Sequence, residues 1–229
     1  MASPTQNISA TKADPENLYH ILFITSHIQR DPNSEIEKIR IPGTYCSLEV
    51  AEAAAHACLC DAGYEREWFS QYEDISTALV RYRIHQRMGL VVVAVAPDGT
   101  AFRACISTTP NTGHLTTDNE EGRIAADLYY VVQTNVEYAN GDEEQRRGIN
   151  IEGIFMSYDK AQSFAHSVLL SEEDGITRES FAEYDEAGDN ERDCGFGENV
   201  VIHAVAINGE NHLISVIKGQ AMVELAEAA

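Results

Sequence analysis

Hydrophobic and polar residues alternate over much of the chain. Within residues 128–138, one face carries Tyr130, Val132, Val136 and Tyr138, and the other carries Gln133, Asn135 and Glu137. A period of two indicates a β-strand with one buried face, and residues 18–29 are predicted to form a corresponding strand. Shorter alternating stretches follow at 39–45 and 149–155. We therefore predict one hairpin from each pair of stretches.

Small apolar side chains at spacings of three and four predict a helix after each hairpin. The two stripes comprise Ala51, Ala54, Ala55, Cys58 and Leu59 in the first helix and Ala161, Phe164, Ala165, Val168 and Leu169 in the second. Ser47 and Ser157 stand where these helices begin, so their hydroxyls are predicted to cap the first turns. Gly63 and Gly175 stand near the predicted helix ends, where glycine commonly terminates a helix.

A second predicted hairpin completes each half of the chain. Residues 96–100 and 207–210 carry the Gly and Asn residues that tolerate the positive φ angles of tight turns, and apolar strands flank both turns. The segments before these hairpins, 63–74 and 175–186, are compatible with either a short helix or an irregular strand. The predicted unit is therefore β-β-α-(x)-β-β, an antiparallel sheet with a helix packed on one face.

This order of elements occurs twice, 110 residues apart, with a local shift to 112. The matched pairs include Gly43/Gly153, Tyr45/Phe155, Ser47/Ser157, His56/His166, Arg66/Arg178, Phe69/Phe181 and Tyr72/Tyr184. Collinear matches of this kind indicate a tandem duplication, and they predict an α+β protein of two related units. A pseudo-twofold axis between the units is one arrangement compatible with this repeat.

The repeat sets the expected domain boundaries. We predict a disordered leader (1–17), a first unit (18–107), a linker (108–127), a second unit (128–218) and a tail (219–229).

Composition and charge narrow the function classes. The chain has 229 residues, 44% of them hydrophobic, and a formal net charge of −21, so it can bury a core but is repelled by nucleic acid and anionic membranes. No apolar run approaches the length of a membrane-spanning helix, and the leader does not resemble a secretory signal. Five cysteines without regular spacing argue against a disulfide framework. We therefore expect a cytoplasmic protein without nucleic-acid or membrane partners.

The negative charge is concentrated in the second half. Up to Thr117 the chain has 9 basic and 13 acidic residues, a net charge of −4; the remainder has 7 and 24, a net charge of −17, and these counts add to the 16 and 37 of the whole chain. Residues 78–89 of the first unit contain Arg81, Arg83 and Arg87, whereas residues 185–198 of the second unit are rich in Asp and Glu. Divergence of a loop on a retained scaffold is typical of a binding site. The alternative is that the basic segment packs on the acidic one, within one chain or between two chains.

Standard catalytic and metal-binding motifs are absent from the sequence. There is no dinucleotide-binding glycine motif, phosphate-binding loop, zinc-protease motif or nucleophile elbow. The acidic residues from Asp185 onward do not follow the ligand spacing of a calcium-binding EF-hand loop. Cys194 lies among acids, which disfavour the reactive thiolate. These observations predict no cofactor and no metal, and they favour a non-catalytic role.

The candidate binding residues form three groups. His56 and His166 occupy the same position in the two predicted helices, so a pseudo-twofold packing would allow them to share a ligand. The basic loop and the acidic loop supply the other candidates, Arg81, Arg83, Arg87, Asp185, Asp189 and Asp193. In addition, His203 and His212 are predicted to face each other across the last hairpin.

Three functional hypotheses follow. The first is an intracellular protein-binding or regulatory module that attracts a basic partner through its acidic second unit. The second is a small-molecule-binding protein or enzyme with a pocket between the units, lined by His56 and His166. The third is self-association, because duplicated units often descend from homodimers.

Overall fold

A computed structural model describes residues 14–27, 37–75, 88–117, 119, 121–137, 146–188 and 191–222, and the statements below concern these residues. The protein is α+β, with two antiparallel sheets and few helices. No helix in these parts of the chain is long and apolar enough to cross a membrane.

The described residues of the first half form a six-stranded sheet and an α-helix. Its elements are β1 (Asn17–Ser26), β2 (Lys38–Arg40), β3 (Thr44–Tyr45), α1 (Leu48–Asp61), a 3-10 turn (Arg66–Trp68), β4 (Gln71–Asp74), β5 (Met88–Val95) and β6 (Ala101–Pro110). The strand order is β2-β1-β6-β5-β4, and β3 pairs with β1 beside β2.

The described residues of the second half form a five-stranded sheet with a helix between its second and third strands. Its elements are β7 (Tyr129–Glu137), β8 (Arg146–Phe155), α2 (Tyr158–Ala165), a 3-10 turn (Arg178–Ser180), β9 (Phe181–Glu186), β10 (Val200–Ala206) and β11 (Asn211–Lys218). The strand order is β8-β7-β11-β10-β9. In both sheets, the last strand along the chain, β6 or β11, therefore pairs with the first, β1 or β7. The strand that follows the helix, β4 or β9, lies at an edge of its sheet.

The segment between the helix and the last hairpin has the same structure in both halves. A 3-10 turn leads directly into an edge strand, β4 or β9. These strands lack a clear alternation, since Gln71–Asp74 and Phe181–Glu186 expose residues on both faces. Edge strands tolerate this exposure, which explains why the sequence pattern left the segment ambiguous.

Two details of the predicted helix ends are wrong. Ser47 and Ser157 do precede α1 and α2, but neither side chain forms a capping hydrogen bond. Gly63 adopts a positive φ of 85° directly after α1, as expected, whereas Gly175 (φ 68°) lies in a later turn because α2 ends at Ala165. The shorter α2 leaves room for the turns that follow it.

The two sheets pack face to face, and each carries its helix on the outer face. In β1, Ile21 and Phe23 point toward α1, whereas Leu18, Leu22 and Ile24 point toward the second sheet. The second sheet meets them with an apolar set consisting of Leu128, Tyr130, Val132, Ile149 and Ile217. The result is four layers, helix–sheet–sheet–helix, with an apolar core in each of the three spaces between layers.

A buried hydrogen-bonded network crosses the space between the sheets. His20 is fully buried; its Nδ1 lies 2.8 Å from the Thr44 hydroxyl, and its Nε2 lies 2.8 Å from the Thr109 hydroxyl. Thr44 Oγ1 is also 2.5 Å from the hydroxyl of Tyr130 on β7. A neutral imidazole, with one donor and one acceptor, satisfies both threonines. Burial lowers the pKa of His20 to about 3, so the ring stays neutral in the folded protein.

The chain between the sheets, predicted as a linker, lies against the first unit. Ile124 is buried in the core between the sheets, and its N–H donates to the carbonyl of Thr44 at 2.8 Å. The Arg123 guanidinium donates to the carbonyl of Pro42 at 3.0 Å. These contacts hold residues 121–127 beside the start of α1.

Candidate functional site

The acidic end of the second sheet is the candidate site that the structure places most clearly. Strand β9 is the edge strand, and among the described residues it pairs only with β10. Acidic residues of β9 and of the following loop are exposed, although Glu186 pairs with Arg178 at 2.7 Å and Glu198 pairs with Lys38 at 3.1 Å. The exposed acids are Glu183, Asp185, Glu186, Glu191, Asp193 and Glu198. We call this set the acidic edge.

Aromatic stacking and backbone hydrogen bonds hold the acidic loop against the sheet. The N–H groups of Ala187 and Cys194 donate to the carbonyls of Val201 and Val200, both at 2.8 Å. The Phe196 ring stacks on the imidazole of His203, with ring centroids 3.7 Å apart and 18° between the planes. The carboxylates of the loop are therefore presented from an anchored segment.

His203 lies on β10, the strand next to β9, and supports the acidic edge. It is only 6% exposed, and its Nε2–H donates to the side-chain oxygen of Asn211 at 2.9 Å. Its Nδ1 lies 3.6 Å from a carboxylate oxygen of Asp185, beyond hydrogen-bond distance. The His203 side chain, which belongs to β10, thus lies beside both Asp185 of β9 and Phe196 of the loop.

The predicted facing of His203 and His212 is wrong. In the register of the hairpin, His203 pairs with Leu213 and His212 pairs with Ala204, so the two histidines lie on opposite faces of the sheet. His212 Nδ1 is 2.9 Å from the side-chain oxygen of Asn135, and burial lowers the pKa of His212. No group of three His, Cys, Asp or Glu side chains within the described ranges is arranged to hold a metal.

His56 and His166 do not meet. His56 lies on α1, and its Nδ1 is 3.4 Å from Asp74. His166 follows α2, and its Nδ1 is 3.7 Å from Glu186. Because α1 and α2 cover opposite outer faces of the sheet pair, each histidine belongs to a separate local cluster.

An arginine completes each of these two clusters. Arg66 bonds to Asp74 at 2.9 Å and lies over the ring of Tyr72, 4.4 Å from its centroid. In the second half, Arg178 lies 2.7 Å from Glu186, and its guanidinium is 5.8 Å from the centroid of the Tyr184 ring. Burial is the main reason that the pKa values of Tyr72 and Tyr184 are raised. With both arginines occupied by carboxylates, these clusters tie the helix end to the edge strand.

The remaining candidates are only partly placed. Arg81, Arg83, Arg87 and Asp189 lie outside the described residues. Asp193 is exposed and accepts from the N–H of Gly195 at 3.2 Å, within the acidic loop. Burial raises the pKa of the Cys194 thiol, with Asp185 and Asp193 adding to the shift. These surroundings disfavour the thiolate.

Two grooves flank the contact between the sheets. One, of about 320 Å³, lies between β2 and β11 and includes Lys38, Arg40, Glu198 and Lys218 in its lining. The other, of about 610 Å³, lies between the end of β6 and β8, and its lining combines apolar side chains and threonines with Ser107, Asn150 and Glu152. Neither groove includes His56 or His166 in its lining.

Comparison with models of known protein families, with curated proteins and with solved structures found no match to this chain.

Proposed function

We propose that the chain is a tandem duplication and that its second unit binds a basic partner protein. The duplication is supported by contacts that recur at the same offsets as the sequence matches, such as Arg66–Asp74 and Arg178–Glu186. Equivalent residues Leu18 and Leu128 also lie in one core, as expected for units related by a pseudo-twofold axis.

The observation that carries the binding proposal is the location of the acidic residues on an open edge strand. Unpaired backbone groups of an edge strand can accept another strand, a mode of recognition known as β-augmentation. The neighbouring carboxylates would then attract Lys or Arg side chains of the added segment. We propose a non-catalytic role in which an extended basic segment of the partner adds to β9.

The same charges discourage pairing with a second copy of this chain. Two acidic edges placed side by side would repel each other, whereas a basic segment is attracted. Charge repulsion therefore favours a basic partner over self-association through β9. A pocket lined by both His56 and His166 is disfavoured because those side chains lie in separate clusters.

Neutralising the acidic edge is expected to weaken binding of a basic extended peptide. The probe is a short peptide of alternating Lys and Thr residues, titrated calorimetrically at low and high salt. The variant combines Glu183→Gln, Asp185→Asn, Asp193→Asn and Glu198→Gln. We expect about a tenfold or greater loss of affinity at low salt, since each exposed ion pair contributes up to about 1 kcal/mol.

A matched control separates location from net charge. Glu49→Gln, Asp61→Asn, Glu65→Gln and Glu67→Gln remove the same number of exposed carboxylates from the first unit. The control should bind the peptide almost as well as the parent chain, and added salt should weaken binding by screening. Equal losses for both variants would show that net charge alone attracts the peptide and would refute the proposed site.

A further inference from the structure

Aromatic rings in the first unit form the wall of a depression on the helix side of its sheet. The rings of Tyr64 and Trp68 stack with centroids 5.1 Å apart and 27° between their planes. Phe102 lies 5.4 Å from Tyr64, and Phe23 lies 5.9 Å from Phe102. Phe23 and Phe102 are buried, yet Trp68 remains 45% exposed. The wall thus presents an uncovered indole over a buried aromatic floor.

The depression is large enough for a small organic molecule. It encloses about 360 Å³, and ligand pockets in proteins span roughly 300 to 1,000 Å³. The polar part of its lining comes from β1 and β2, with Thr25, His27, Lys38 and Arg40, and from the turn between β5 and β6, with Asp98 and Thr100. The Asp98 carboxylate accepts from the N–H of Thr100 at 3.0 Å. A ligand held there would meet aromatic rings on one side, and Lys38 and Arg40 would be the cationic groups on the polar side.

Arg40 is the cation available to a ligand. The register of β1 and β2 pairs Phe23 with Arg40, which puts both side chains on the face that carries the aromatic floor. Arg40 is partly buried and forms no hydrogen bond or ion pair with any described residue. Lys38, in contrast, lies 3.1 Å from the carboxylate of Glu198.

The second unit lacks this combination at the matching positions. The pairs, first unit before second, are Phe23/Gln133, Arg40/Asn150, Tyr64/Ile176, Trp68/Ser180 and Phe102/His212. The second sheet forms without the aromatic wall and without the arginine. The scaffold therefore does not require them, which favours a separate role for them in the first unit.

We propose that this aromatic pocket, formed by Phe23, Tyr64, Trp68, Phe102 and Arg40, binds a small aromatic carboxylate. The ligand ring packs against the indole and the phenyl floor, where offset and edge-to-face contacts between rings are favourable. Its carboxylate accepts paired hydrogen bonds from the planar guanidinium of Arg40. The site is distinct from the acidic edge, so each proposal can fail without the other.

Para-nitrobenzoate is the probe, and Trp68 provides the readout. The chain has a single tryptophan, so quenching of its fluorescence reports on the pocket directly. We expect saturable quenching, with calorimetry giving the same dissociation constant. The neutral para-nitrobenzamide should bind about tenfold more weakly, because a hydrogen bond to a charged group contributes about 1.5 kcal/mol or more. Acetate, which lacks a ring, should not saturate the pocket.

Variants locate the site by calorimetry. Arg40→Gln should weaken para-nitrobenzoate binding about tenfold, and Trp68→Ser, which introduces the residue of the second unit, should weaken it severalfold. Arg192→Gln removes an exposed arginine from the second unit and should have no effect. Absence of saturable binding, equal affinities for the acid and the amide, or equal behaviour of Arg40→Gln and Arg192→Gln would overturn the proposal.

Discussion

Lowering the pH from neutral to about 5 should destabilise the protein by about 2 kcal/mol through His20 alone. The pKa of His20 is about 3 in the folded protein and 6.5 is its ordinary value, so the unfolded chain binds the proton far more readily. The stabilisation is therefore fully present above the unfolded pKa and is lost as the pH falls from about 6.5 toward 3. The free energy of unfolding measured against pH by denaturant titration gives the slope.

His20→Gln isolates this contribution from that of the carboxylates. The variant should be less stable at neutral pH, because its side chain replaces the two hydrogen bonds to Thr44 and Thr109 imperfectly, at a cost of about 1 to 3 kcal/mol. Its stability should change much less between pH 7 and about 5 than that of the parent chain. His114→Gln, in which the replaced side chain is 79% exposed, serves as the control. Identical slopes for the parent chain and His20→Gln would contradict the assignment.

Truncating Leu22 should destabilise both sheets together. Leu22 is fully buried in the core between the sheets, and Leu→Ala changes at such positions cost about 2 to 5 kcal/mol. Because both sheets line this core, Trp68 fluorescence from the first unit and amide exchange in β10 and β11 should report the same shifted transition. Ile207→Ala, at a residue that is 84% exposed in a turn, should leave the transition unchanged. A shift confined to Trp68 fluorescence would show that the sheets unfold independently.

Periodicity was sufficient to predict most strands because the sheets are regular. Both last hairpins have the expected turns, with Gly99 and Gly209 at φ angles of 87° and 86°. The face-to-face packing was harder to predict, although residues 21–24 of β1 form an unbroken apolar run (Ile-Leu-Phe-Ile). Such a run indicates a strand buried on both faces, and this signal alone could have suggested the second sheet as the cover.

The candidate site was only partly visible in the sequence. The acidic residues were evident, but their location on an edge strand depends on the strand order, which is set by contacts distant in sequence. The same limit applies to Phe196 and His203, whose stacking anchors the loop. His56 and His166 matched in the repeat because each holds the same local contact, so the match reflects the scaffold.

The aromatic pocket was missed for a related reason. Tyr64 and Trp68 come from the turn after α1, whereas Phe23 and Arg40 come from β1 and β2. Only the fold brings them together. A comparison of the two units position by position could have singled out Trp68, the single tryptophan, opposite Ser180.

Hydrogen exchange at backbone amides tests the central claim, addition of a basic strand to β9, most directly. The whole chain is compared with and without the alternating Lys and Thr peptide at saturating concentration. Strand addition predicts new protection in Phe181–Glu186, with little change at the edge strands β2, β4 and β8, because only β9 would gain backbone hydrogen bonds. Protection centred on β2, β4 or β8, or saturable binding without any new protection in β9, would contradict the proposed function.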